Sequence, residues 1–112
     1  MAIQGIGIDI VEVKRFSSFE KENRFLSDNF TENEVDYCFS YRDPSVHLAG
    51  TFAAKEAVYK ALGRSDILQS VIEIRREKKG KPSVWIAGRC QKSIFISISH
   101  TKDVATAIAL KQ

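Results

Sequence analysis

Cysteine, proline and tryptophan are scarce in this chain: two, two and one among 112 residues. Cys38 and Cys90 have no CxxC spacing around them. Free thiols in a reducing compartment are therefore expected, ahead of a disulfide framework or a zinc site. No apolar run approaches the length that spans a bilayer, and the opening MAIQGIGID lacks the basic-then-apolar layout of a signal peptide. The expectation is a cytoplasmic domain with no membrane partner. Neither sign of charge dominates, since 17 basic and 14 acidic residues leave a net +3. That balance admits an anionic ligand or an acidic protein partner without demanding nucleic acid. The dinucleotide fingerprint GxGxxG, the P-loop, the nucleophile elbow GxSxG and any Cys/His cluster are all missing. So are internal repeats, low-complexity segments and linkers. One domain over residues 1–112, with a modest core of its own, accounts for the length.

What is present is organised around Phe52 to Gly63, FAAKEAVYKALG. Four alanines with straight-chain Lys and Glu favour a helix, and Gly63 suits a left-handed C-terminal position. Asp43-Pro44 marks its start, with Asp as N-cap and Pro at the first helical position. At about 100° per residue, Val46, Gly50, Ala53, Ala54, Ala57 and Ala61 form a small-residue face that lets another backbone come close. Leu48, Phe52, Tyr59 and Leu62 form a bulky face. His47, Thr51 and Lys55 make the one polar stripe that a surface helix needs. Glu56 and Lys60 then fall on a different side. As an i,i+4 pair they are worth only a few tenths of a kcal/mol, but a second polar stripe on an apolar helix points to a site.

Ile3 to Val13 reads as a strand by its alternation and β-branched content. Ile6, Ile8 and Ile10 share one face; Gly5, Gly7, Asp9, Val11 and Val13 share the other. A mid-strand Asp is disfavoured by propensity, and two glycines on its own face leave room for something to approach it. Ser17 to Phe30 predicts one or two short helices, with their phenylalanines turned inward. Thr31-Glu32-Asn33-Glu34 has the capping-box pattern of a helix running to about Phe39. Asp36 on that helix reads as a surface carboxylate. Val71–Arg75 and Ser83–Ala87 predict two strands around the basic turn Glu77 to Pro82, followed by a short connector from Gly88 to Ser93. Ile94–Ser99 and Val104–Leu110 form a final hairpin with His100 at a strand end. The whole is an α+β domain, one long central helix packed on an antiparallel sheet.

Two carboxylates, Asp9 on a strand and Glu56 on a helix, suit Mg²⁺, which takes one or two protein carboxylates and completes its shell with water and phosphate oxygens. Lys60, one turn from Glu56, would face the same phosphates as a point charge. The basic hairpin and His100 would hold further phosphate. Such a set serves phosphoryl-type transfer, where charge neutralisation and positioning matter more than covalent catalysis. The competing class is a small basic module that binds RNA or another anion without catalysis. It requires basic and aromatic residues together on a sheet face, whereas the aromatics here fall mostly in predicted helices and the sheet is aliphatic.

Four stretches, in order and covering nearly the whole chain, carry a family resemblance. Gly5-Ile6-Gly7-Ile8-Asp9-Ile10-Val11-Glu12-Val13 with Arg15 resembles the opening signature of the holo-[acyl-carrier-protein] synthases, short bacterial-type 4′-phosphopantetheinyl transferases. Phe52-Ala53-Ala54-Lys55-Glu56-Ala57 with Lys60-Ala61-Leu62-Gly63 is similar to their second motif. Gly80-Lys81-Pro82 and Ser97-Ile98-Ser99-His100-Thr101 resemble the third and fourth. The resemblance implies transfer of 4′-phosphopantetheine from coenzyme A to a serine of an acidic apo acyl carrier protein, with release of adenosine 3′,5′-bisphosphate. It implies Mg²⁺ on Asp9 and Glu56, with a water activated by one of them as base. Coenzyme A would lie against Lys60, Gly63, Lys81, Pro82, Ser99 and His100. It also implies a homotrimer in which Lys81, Ser99 and His100 serve a neighbour's site, and Arg15 facing the carrier protein. The chain departs from the pattern at His47 and Thr51, where members commonly carry basic residues; a neutral Thr51 removes a phosphate or partner contact. The connector from Gly88 to Ser93 is also shorter than the helix usually found there.

Overall fold

The long helix is apolar almost all round, and burial on every side is the result. In the computed structural model, which describes residues 2–76 and 80–112, this helix, α3, spans Ser45–Leu62. Leu48, Ala49, Ala53, Ala54, Ala57 and Val58 are all fully buried. The helix starts one residue later than expected, with Pro44 at the N-cap, and the Asp43 carboxylate just ahead of it accepts from the Ser45 amide (3.1 Å) and hydroxyl (2.6 Å). Gly63 ends it with φ +65°, the left-handed conformation that glycine adopts without strain.

The preceding elements are β1 (Gly5–Glu12), a 3₁₀ turn over Val13–Phe16, α1 (Arg24–Asn29) and α2 (Glu32–Phe39). Strands β2 (Ile72–Arg76), β3 (Pro82–Ile86), β4 (Arg89–Cys90), β5 (Ile94–His100) and β6 (Val104–Lys111) follow. All pairings are antiparallel, in two three-stranded sheets ordered β1-β6-β5 and β2-β3-β4. The single expected sheet is thus two, with α3 against both. The first sheet lays β1 on the small-residue face of α3. A methyl group at Gly7 would come within 1.9 Å of the Ala57 carbonyl oxygen, and one at Gly5 within 2.0 Å of that of Ala61. What the two glycines admit is the helix backbone itself.

The capping box on α2 forms as its sequence requires: Thr31 Oγ1 accepts from the Glu34 amide and Glu34 Oε1 accepts from the Thr31 amide. Between Ser17 and Phe30 one short helix forms, α1, capped by Asn23, whose side chain accepts from the Phe25 amide. Phe16, Phe25, Phe30 and Phe52 pack ring against ring where α1 meets α3. Asp36 is a surface carboxylate, paired with Lys21 at 2.9 Å. The connector from Gly88 to Ser93 contains β4 and turns at Ala87 and Gly88, both with positive φ. Glu77, Lys78 and Lys79 of the expected basic turn lie outside the described residues. Among the described residues no helix is long and apolar enough to cross a membrane.

One expectation is overturned. The stripe His47-Thr51-Lys55 does not face solvent, because Thr51 and Lys55 are fully buried. α2 and β2 cover that side of α3 and bring compensating groups. Lys55 Nζ donates to Glu34 Oε1 (2.6 Å) and to the Ile72 carbonyl (2.5 Å). Glu34 Oε2 in turn accepts from the Ile74 amide (2.7 Å). A buried ammonium is tolerable only with partners of this kind. The same bonds tie β2 to α2 and α3.

Candidate active site

Alternation along β1 turns Asp9 toward α3, and the helical repeat brings Glu56 and Lys60 to the same edge. Lys60 Nζ donates to Asp9 Oδ1 (3.2 Å) and to the Ile8 carbonyl (2.9 Å). The i,i+4 pair that Lys60 would make with Glu56 is therefore replaced by a pair across two elements. Lys60 is about half exposed, at 51%, and the Asp9 side chain only 18%, so the ammonium covers the carboxylate from the solvent side. The Asp9 carbonyl accepts from Thr106 Oγ1 (2.9 Å), which locks β1 to β6 at this point.

Glu56 is half-buried beside them. Burial pushes its carboxyl above the usual value, and the negative charge of Asp9 pushes it the same way; Lys60 and Arg15 act against both. Two carboxylates that repel each other, with cations at the rim, form a donor set for a hard divalent ion. Among the described residues no group of three or more His, Cys, Asp or Glu converges. Such a pair fits Mg²⁺, which takes the rest of its shell from water and phosphate.

Arg15 is exposed, yet its guanidinium is held in place. It lies 5.0 Å from the ring centre of Phe52, 5.4 Å from Phe25 and 5.8 Å from Phe16, a cation on an aromatic platform within electrostatic reach of Glu56. Gly63 is the exposed cap just beyond Lys60.

The remaining expected residues are not gathered here within one chain. Ser99 lies on the outer face of the first sheet, in a shallow groove with Ile8, Ser97 and Thr106. That groove adjoins one lined by Asp9 and Lys60, the two sharing Ile8 and Thr106. His100 points to the opposite face, its ring centre 6.3 Å from that of His47 in the first turn of α3. Lys81 is exposed ahead of β3, and Pro82 pairs with Arg76 in the second sheet.

Two functional-looking residues escape a linear reading. Glu34 reads as half of a capping box and turns out to hold Lys55 as well. Arg76 falls between the strand expected to end at Arg75 and the basic turn expected from Glu77, and it donates to Thr51 Oγ1 (2.8 Å) on α3. The period of two was the available signal, since it puts Arg76 on the inward face with Ile72 and Ile74. Basic charge beside Thr51 thus arrives from β2.

Comparison with known proteins points to one family. A family model described as the 4′-phosphopantetheinyl transferase superfamily matches residues 5–109. A holo-[acyl-carrier-protein] synthase of Thermodesulfovibrio yellowstonii is 45% identical, the match covering 96% of this chain and 97% of that one. A synthase of the same name from Protochlamydia amoebophila is 43% identical over 95% of each. The crystal structure of a holo-(acyl-carrier-protein) synthase from Bacillus anthracis, in complex with CoA (3′,5′-ADP), superposes with a TM-score of 0.82 at 33% identity. That superposition covers 97% of this chain and 96% of the other.

Proposed function

The chain belongs to the 4′-phosphopantetheinyl transferase superfamily, and from that premise we propose how its residues carry out the reaction. It is an enzyme that transfers 4′-phosphopantetheine from coenzyme A to an apo acyl carrier protein. The observation that carries the assignment of its site is the convergence of Asp9, Glu56 and Lys60 at one edge of β1 and α3.

Asp9 and Glu56 are the residues that would hold Mg²⁺; when bound, the ion neutralises and orients the pyrophosphate of coenzyme A. Lys60 places a fixed positive charge beside the same phosphates. The carrier serine oxygen attacks the phosphorus that bears the pantetheine arm. The bond from that phosphorus to the bridging oxygen breaks, and adenosine 3′,5′-bisphosphate leaves with the electron pair. The serine proton goes to a carboxylate, directly or through water. Arg15, at the rim and held on its aromatic platform, is placed to meet an acidic carrier protein.

The outer face of the first sheet, with Ile6, Ile8, Ile10 and Phe95 exposed, supports assembly as a homotrimer, in which Lys81, Ser99 and His100 serve a neighbouring copy's site. The free thiols Cys38 and Cys90 accord with the cytoplasm.

The test is the mass of an apo carrier protein after incubation with coenzyme A, Mg²⁺ and this chain. A gain of one phosphopantetheine group is expected. Lys60→Met should reduce kcat/KM for coenzyme A at least tenfold with little change in melting temperature. Asp9→Asn should raise the Mg²⁺ concentration needed for half-maximal rate. Normal turnover by both variants would remove this site from the reaction.

A further inference from the structure

In the order β1-β6-β5, β1 lies at the edge of its sheet and pairs with one strand only. An edge strand is held by fewer ladder bonds than a central one, yet the middle of β1 carries Asp9. Two side chains from other elements reach the backbone at that point. Lys60 Nζ donates to the Ile8 carbonyl at 2.9 Å, and Thr106 Oγ1 donates to the Asp9 carbonyl at 2.9 Å. One bond comes from α3 and the other from β6, so the strand is fastened from two sides beside the carboxylate.

The role of Lys60 extends to the phosphates, but the mechanism above makes no use of Thr106. Val104, Thr106, Ile108 and Leu110 alternate along one face of β6, and Thr106 is the one hydroxyl in that row. The opposite row, Ala105, Ala107 and Ala109, is buried. Register places Thr106 opposite Ile10, from where its hydroxyl spends its single proton on the carbonyl of the residue before. A valine would fill the same space and suit the same strand, so the fold does not require that hydroxyl. Thr106 also lines the groove that holds Asp9 and Lys60.

The placement of Asp9 matters most to a small ion. Mg²⁺ demands near-ideal octahedral geometry at about 2.0–2.1 Å, whereas Ca²⁺ accepts a looser shell at about 2.3–2.6 Å. A carboxylate on a strand free to shift by a few tenths of an ångström would therefore lose Mg²⁺ before it lost Ca²⁺. We propose that Thr106 is a positioning residue for Asp9: its hydroxyl, by fixing the Asp9 carbonyl on the edge strand, sets the preference of the Asp9–Glu56 pair for Mg²⁺ over Ca²⁺. The proposal rests on the transferase reading only through that pair of carboxylates.

Mn²⁺ is the probe that tests it, because it takes octahedral oxygen sites as Mg²⁺ does and its electron paramagnetic resonance signal reports binding without turnover. Displacing Mn²⁺ from the chain with Mg²⁺ and with Ca²⁺ gives the ratio of the two affinities. Thr106→Val should weaken Mg²⁺ about fivefold or more and Ca²⁺ less than about twofold, since partners that orient a metal ligand commonly control affinity by a factor of ten or more. Thr106→Ser keeps the hydroxyl and should keep the parent's ratio. If Thr106→Val lowers the melting temperature enough to compromise the comparison, Thr106→Ala carries the same expectation. In turnover, Thr106→Val should raise the Mg²⁺ concentration needed for half-maximal rate, and Thr106→Ser should not. An unchanged ratio in folded Thr106→Val, or equal losses for both ions, overturns the role of Thr106 and leaves the metal pair standing. A parent chain that binds no more Mn²⁺ than Asp9→Asn overturns the metal pair and the proposal with it. If the ratio depends on Thr106 but the parent transfers nothing from coenzyme A, the transferase reading falls and the proposal stands.

Discussion

Glu56, in the site proposed above, is a side chain that costs the fold stability. Its folded-state proton affinity is raised above the ordinary carboxylate value near 4.5, first by burial and then by Asp9. Between that value and the raised one, the folded chain keeps a proton that the unfolded chain has lost. Stability therefore falls as pH rises through this window and stays lower above it. Glu56→Gln removes the burden while keeping the shape. It should raise the melting temperature at pH 7, with the gain shrinking toward pH 4, and lower transfer by about 10²-fold or more. Thermal melts of parent and variant across that range check the sign, and a variant less stable at pH 7 would contradict it.

At the scale of elements, α3 is held by what covers it. Its small-residue face was legible from composition, and β1 meets it through Gly5 and Gly7. The Lys55 side is buried instead of facing solvent, because a helical repeat says which residues share a face and not what lies opposite. The Lys55–Glu34 pair joins α2, α3 and β2 through four charge-assisted bonds. Lys55→Met should cost about 3–5 kcal/mol, since it leaves the Glu34 carboxylate buried without its counter-charge. Lys55→Met combined with Glu34→Gln should recover part of that loss. Urea unfolding of the three proteins measures both effects. A single variant as stable as the parent would mean the pair contributes nothing to joining these elements.

For the whole molecule, the first sheet has an inner face packed on α3 and an outer face left open. Ile10 is 70% exposed, Ile8 64% and Ile6 63%, an apolar strip that a small domain has reason to cover by association. Ile8→Glu keeps the backbone carbonyl that Lys60 bonds and places a charge in the middle of the strip. It should convert a trimer to a folded monomer with much reduced transfer, as light scattering and the carrier-protein assay would show. A parent chain that is monomeric and fully active would defeat both the trimer and the shared site.

Sequence alone determined what depends on neighbours a few residues away. The capping box at Thr31 and Glu34, the left-handed end at Gly63, the alternation of β1 and the period of α3 are all local hydrogen-bonding and spacing effects. The four motifs, in their order, were legible in the same way. Tertiary structure decided where each charge found its partner. Lys60 meets Ile8 and Asp9, 52 and 51 residues away in the chain. Lys55 meets Glu34 at a separation of 21, and Arg76 meets Thr51 at 25. Local propensity carries no term for such distances. A buried charge takes whichever complementary group the packing of the sheets and helices brings within about 3 Å.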